Sequence, residues 1–331
     1  MNNLKKIGLS ALAGSLVAFS ANAVELTVSG TAEVTYSTIT STGTAQVNSG
    51  NPMGSNTSLK FNGSGDVGFG TATIRRTIND GMSAYLSAWQ TLDMGSLGTV
   101  SFDAIGGELA GLTPNDDLLP TAYEEIWNGV SSSGVSGASS NDTLGYANSY
   151  GPVSFSVAHT RGGTAGSSDG NVAAETGNSI TDMAVSIDGS MLLDGLTIAA
   201  ATSTEDGLNN ATDTTNNVGH VLYSTGPVSV GYRLAESQPG SGKTVQTGKN
   251  IEAYSIAFAV NDNLSLSFGE QETEYDVASS ASNVTEEVTA LNASYTIGAA
   301  SIRTTLSESA NDAGVLANDV EMMEVSLVLA F

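Results

Sequence analysis

The last nine residues, MEVSLVLAF, constrain the fold more than any other stretch of the chain. Met323, Val325, Leu327, Leu329 and Phe331 fall on one face of a strand, and Glu324, Ser326, Val328 and Ala330 on the other. A period-2 strand that ends on an aromatic ring needs a neighbour on each edge and an apolar medium for its apolar face. A closed transmembrane β-barrel supplies both, because lipid tolerates no unpaired backbone groups.

The other terminus fits that expectation. Residues 1–23 carry Lys5 and Lys6, then an apolar stretch, then small residues at Ala21 and Ala23. This is the three-part form of a secretory signal peptide, with cleavage expected after Ala23. The apolar core is shorter than the ~20 residues a spanning helix needs. Loss of this leader removes two lysines and no acid, so the formal charge of −24 becomes −26. A basic patch for nucleic acid is excluded by that balance. With no cysteine in the chain, disulfides, thiol catalysis and thiolate metal sites are excluded as well. Hydrophobic residues make up 40% of the sequence and they alternate, which separates this acidic chain from a disordered one.

Periodicity from Val24 onward reads as one strand after another. In VELTVSGTAEVTYST, Leu26, Val28, Gly30, Ala32, Val34 and Tyr36 face one way, against Glu25, Thr27, Ser29, Thr31, Glu33 and Thr35. That run suits the ~9–11 residues of a tilted membrane strand. Further strands are expected near 57–64, 70–78, 82–92, 98–103, 143–149, 152–160, 180–189 and 195–204. The rest fall near 217–224, 228–236, 250–260, 264–275, 286–297, 300–308 and 319–331, for a count of sixteen. Short connections alternate with long polar ones, the layout of an up-and-down antiparallel membrane barrel. The tight-hairpin signal Asn79-Asp80-Gly81 is the exception, in a slot where a long loop is expected. The reading is a single barrel domain spanning 24–331, all-β, with about sixteen strands.

One connection, 104–142, is too long to be a plain linker. It carries Glu108, Asp116, Asp117, Glu124 and Glu125 together with Leu118, Leu119, Tyr123, Ile126 and Trp127. Apolar residues in such a loop need something to pack on, so the loop is expected to fold into the lumen and narrow it, acids toward the pore. A short helical turn is expected in its TAYEEIW segment. Strand parity puts Lys60, Arg75, Arg233 and Arg303 on the polar face, since a cation in mid-membrane hydrocarbon costs ~2–4 kcal/mol. Arg76 has the opposite parity and calls for a bulge or a position at the membrane boundary. Arginines across from an acidic loop would set up a transverse field that filters small solutes. The two histidines, His159 and His220, form no recognisable catalytic pair, so no enzyme activity is expected. The Asp- and Asn-rich loops offer oxygen ligands for a structural calcium ion, but none matches the twelve-residue calcium pattern, and no cofactor is expected.

These residues resemble the general porins of alphaproteobacteria. The likeness rests on the first strand VELTVSGTAEVTYS, on MGSLGTVSFDAIGG leading into the acidic loop, and on DDLLPTAYEEIW followed by NDTLGYANSYGPVSFSVAHT. The terminal VSLVLAF resembles the assembly signal of such porins, with Phe331 as the final aromatic. The resemblance implies a homotrimeric, sixteen-stranded, water-filled channel in the outer membrane, in contact with its lipid and passing small hydrophilic solutes. It implies that Asp116, Asp117, Glu124 and Glu125 are constriction acids and Arg75 a wall arginine. Such porins carry a denser arginine cluster, so this chain is expected to prefer cations. The rival readings are a substrate-specific channel on the same fold and a non-conducting barrel serving as a structural, adhesin or receptor protein.

Overall fold

The computed structural model describes residues 25–43, 50–79, 85–106, 109–130, 134–135, 137–138, 142–162, 178–207, 212–240, 248–276 and 283–331. The leader at 1–23, Glu108 and the Asp80-Gly81 pair lie outside them. Sixteen strands follow in chain order. The first five are β1 (Glu25–Ser41), β2 (Met53–Asp66), β3 (Thr71–Ile78), β4 (Tyr85–Asp93) and β5 (Thr99–Ile105). After the long loop come β6 (Thr143–Tyr150), β7 (Val153–Thr160), β8 (Ile180–Asp188), β9 (Leu196–Glu205) and β10 (Thr214–Thr225). The last six are β11 (Val228–Gln238), β12 (Gly248–Ala259), β13 (Leu264–Asp276), β14 (Val284–Ile297), β15 (Ala300–Ala310) and β16 (Val320–Ala330). Each pairs antiparallel with its sequence neighbours, and β1 pairs with β16 to close the barrel. All sixteen expected strands are present. The expected start of the second, near 57, lies four residues late because Met53–Asn56 pair with the upper part of β1.

Closure explains the carboxy-terminal pattern. Register from Thr31↔Ala330 to Ser41↔Val320 pairs both edges of the terminal strands, leaving none exposed. The Gly30 and Phe331 backbones exchange two further bonds, at 2.8 and 3.0 Å. The Phe331 ring lies across Gly30 on the outer face, where an added Cβ would come 2.7 Å from both the ring and the Ser58 carbonyl oxygen. Gly30→Val therefore overpacks the seam by about 1–3 kcal/mol. Its expected outcome is a smaller folded fraction by heat-modifiable gel migration, with no loss of expression.

Alternation sorts the side chains. Outward positions hold Val230, Ile256, Phe268, Leu291, Ile302 and Leu327, all exposed and apolar, as a wall in hydrocarbon requires. Toward the long-loop end this belt gives way to the paired Tyr232 and Tyr254, whose hydroxyls donate to Glu252 and Glu270. Inward positions hold Ser, Thr, Asn and charged residues, and on β8–β14 also small apolar ones. Arg76 does point outward, between Phe61 and Ala88. Its Nη1 donates to the Arg75 and Trp89 carbonyl oxygens at 2.7 and 3.2 Å, and a bulge interrupts the ladder between Thr77 and Ile78. The chain thus satisfies an outward cation with its own backbone.

Candidate channel constriction

The long loop enters the lumen and lies against the inner wall, held by apolar packing and by bonds to successive strands. Between the polar anchors, several inward side chains of the strands behind it are apolar and mostly small. Ala184, Ala201, Val218 and Ala235, with Ile251, receive Leu112 and Val135. Further along, Ala253, Val288 and Ala290 receive Leu119 and Ile126, with Trp127 and Val130 packed alongside. At inward Gly269 a Cβ would sit 2.6 Å from the Ile126 side chain, so glycine there is what lets the loop reach the wall. Trimming the wall in this way makes a dry interface inside a polar barrel.

Hydrogen bonds trace the path. The Gly111 N–H donates to Ser156 on β7, and the Leu112 and Ala138 N–H groups both donate to Asp182 Oδ2 on β8. His220 on β10 meets the Asn115 carbonyl at 2.8 Å. Asp116 forms an ion pair with Arg233 on β11, Nη2 to Oδ1 at 2.7 Å. Arg233 is fully buried; its Nη1 donates to Gln271, and its guanidinium lies 5.0 Å from the Trp127 ring. Ser255 on β12 donates to the Pro120 carbonyl, and the Ala122 N–H donates to Ser267 on β13. The Glu124 backbone exchanges bonds with the Asn292 amide on β14. Tyr123 reaches the closing seam. Its hydroxyl lies 2.7 Å from Glu324 on β16 and 3.3 Å from Glu33 on β1, while Arg303 on β15 stands 5.5 Å from its ring.

The helical turn expected in TAYEEIW is absent. A single helical turn occurs earlier, at Thr113–Asp116, and Thr121–Trp127 is a chain of bends and turns. The Thr121 hydroxyl accepts from the Tyr123 N–H and donates to the Glu124 carbonyl at 2.6 Å, occupying groups that a helix would pair.

The acids and bases singled out from sequence therefore separate into two sets. Asp116 and Arg233 satisfy each other beneath the loop, and Arg303 sits against Tyr123. Neither arginine stands across the lumen from the acids. Asp117 and Glu124 are half-buried on the loop and Glu125 is exposed. Burial pushes the Asp117 carboxyl up to about 6, reinforced by Glu125 and opposed by its bond from the Leu119 N–H. Burial and the Glu125 charge push Glu124 up to about 7. Among the described residues the loop's contacts run along β5–β16 and β1, and the wall of β2–β4 stands across from them. On that wall Lys60 and Arg75 point inward, next to each other on neighbouring strands. Arg75 Nε donates to Asn62 at 2.8 Å, and its guanidinium lies 4.7 Å from the Trp89 ring. In a ring of sixteen strands β3 lies eight strands from β11, so Arg75 faces the side on which Asp116 pins Asp117. Sequence reading missed Trp89, Asn62 and Asp182 as site residues, and took Tyr123 as an apolar anchor where its hydroxyl also bonds the seam carboxylates. Parity would have turned Trp89 inward only with the β3–β4 register in hand.

Three solved structures share this architecture across nearly the whole chain. The anion-selective porin of Comamonas acidovorans superposes with a TM-score of 0.67 at 12% identity, over 93% of this chain and 100% of that one. Salmonella typhi OmpF, in complex with daunomycin, gives 0.65 at 12% identity over 93% and 98%. The fold is the porin fold. A loop-deletion mutant of the Vibrio cholerae outer-membrane protein OmpT gives 0.64 at 11% identity over 93% and 100%. No protein-family model and no curated protein sequence matches the chain. The porin fold here is carried by strand parity and closure, with little identity at individual positions.

Proposed function

We propose that the protein is a general diffusion porin of the alphaproteobacterial type, exported by residues 1–23 with cleavage after Ala23. It works in the outer membrane as a homotrimer, passing small hydrophilic solutes without catalysis or cofactor. The observation that carries this reading is the placement of the long loop. It is glued to one side of the lumen by its own apolar face and leaves the polar, charged wall of β2–β4 opposite it. A loop so placed narrows a channel without filling it.

The charges facing the passage favour cations. Asp117, Glu124 and Glu125 on the loop, with Glu33 and Glu324 on the closing seam, stand against Lys60, Arg75 and Arg303, because Arg233 is neutralised by Asp116. The Comamonas porin is anion-selective on the same fold, so the sign of selectivity rests with such residues and not with the barrel. Planar-bilayer recording in a potassium chloride gradient at pH 8 tests this. Conductance closing in three steps, with a cation-signed reversal potential, is the expected result. An anion-signed potential would overturn the selectivity, and a silent but membrane-inserted protein would move the reading to a structural or receptor barrel.

A further inference from the structure

We infer that the root of the long loop holds a small monovalent cation, bound between Asp182 Oδ1 on β8 and Ser203 Oγ on β9. Among the described residues four buried side-chain polar atoms have no hydrogen-bond partner: these two oxygens, His220 Nδ1 and Arg233 Nε. They fall on four successive strands, β8 to β11, behind the loop. His220 and Arg233 belong to the anchor around Asp116. Asp182 and Ser203 stand apart from it, toward the long-loop end of the barrel.

Register sets the two oxygens against each other. Asp182 and Ser203 are direct cross-strand partners on the inward face, with Cβ atoms about 5 Å apart. Asp182 is 0% exposed and Ser203 1%. The loop seals them in. Gly111 lies so close that a Cβ there would sit 2.6 Å from the Asp182 Cβ and 3.0 Å from the Ala158 Cβ. The Leu112 and Ala138 N–H groups, from the entering and returning limbs of the loop, both donate to Asp182 Oδ2, at 3.0 and 2.6 Å. Among the described residues nothing bonds Oδ1, and no lysine, arginine or histidine pairs with the carboxylate.

A carboxylate taken out of water needs a compensating positive charge. The loop N–H groups serve one of its oxygens and leave the other beside a hydroxyl. Charge and ligand number choose the ion. One positive charge neutralises Asp182, whereas a divalent ion would leave the site net positive. Calcium also takes about 6–8 oxygens, more than this pair offers. An alkali cation matches both the charge and the oxygen ligands. Because Asp182 ties both limbs of the loop to the wall, the bound ion secures the root of the constriction. The site depends on the loop lying against β8 and not on what the channel passes.

Amide exchange of Leu112 and Ala138, read by NMR in detergent at pH 8, tests the site in sodium, potassium and N-methyl-D-glucamine chloride at equal ionic strength. Exchange is expected to be about ten-fold slower in the better alkali salt than in the N-methyl-D-glucamine salt, the factor mass action gives near ten times Kd. Asp182→Asn removes the charge and turns an amide NH2 toward Ser203, while its oxygen still accepts from both loop N–H groups. Exchange in that variant should stay slow and be the same in all three salts. Ser203→Ala keeps the charge and removes a ligand, so its salt difference should shrink. Equal wild-type exchange in the three salts would overturn the site, leaving an ordered water or a proton between the two oxygens. A salt difference that persists in full in Asp182→Asn would place the cation elsewhere and overturn it too. Should Asp182→Asn undock the loop, Ser203→Ala decides, and an undiminished salt difference there overturns the assignment.

Discussion

Replacing Arg233 with methionine is expected to detach the constriction loop while leaving the barrel folded. The guanidinium is the loop's central anchor: fully buried, paired with Asp116 at 2.7 Å, bonded to Gln271 and stacked on Trp127. Removing one member of a buried pair costs about 3–5 kcal/mol, because the other charge is left uncompensated. Asp116 retains some solvent contact and a bond from the Val135 N–H, so the lower end of that range applies. That is enough to shift a docked loop substantially and too little to open the sixteen ladders of the closed barrel. Single-channel traces should show higher unit conductance and strong open-channel noise. Amide exchange should accelerate in residues 109–130 and stay slow in β10–β14. Adding Asp116→Leu to Arg233→Met should quieten the channel again, since an apolar pair can replace a buried ionic one. Unchanged noise and unchanged exchange in the single variant would show that the apolar contacts of Leu112, Leu119 and Ile126 suffice.

The second large effect expected is on pH. The Asp117 carboxyl is pushed up to about 6 and Glu124 to about 7, both chiefly by burial. Between pH 8 and pH 5 the passage therefore loses two of its three loop charges. Cation preference should fall steeply through that window and approach zero or reverse at pH 5. The consequence for stability has the opposite sign from that of an ordinary salt-bridged acid. A carboxyl raised in the folded state binds its proton more tightly there, so stability is greatest below the usual carboxylate range and declines as pH rises through about 4 to 7. The docked loop should be quieter at pH 5 than at pH 8. Asp117→Asn with Glu124→Gln should flatten both dependences. Selectivity that still titrates in that variant would assign the change to other groups.

These expectations rest on features that differ in how far the sequence alone reached. Strand number, closure and facing were legible because lipid and a wet lumen impose opposite demands on alternate residues, and Leu327 or Lys60 reveals its side by parity alone. The intrusion of the long loop was legible too, from Ile126 and Trp127, which no solvated loop would keep. What those residues pack against was not. Ala253, Val288, Ala290 and Gly269 are ordinary wall positions until the fold brings the loop onto them. The fate of each charge also awaited the fold. By parity Arg75 and Arg233 are equivalent inward arginines, yet one faces the passage and the other lies beneath the loop. Local periodicity records which medium a residue meets. Which residue meets which depends on contacts such as Asp116 to Arg233, set 117 positions apart by closing the barrel and folding the loop inside it.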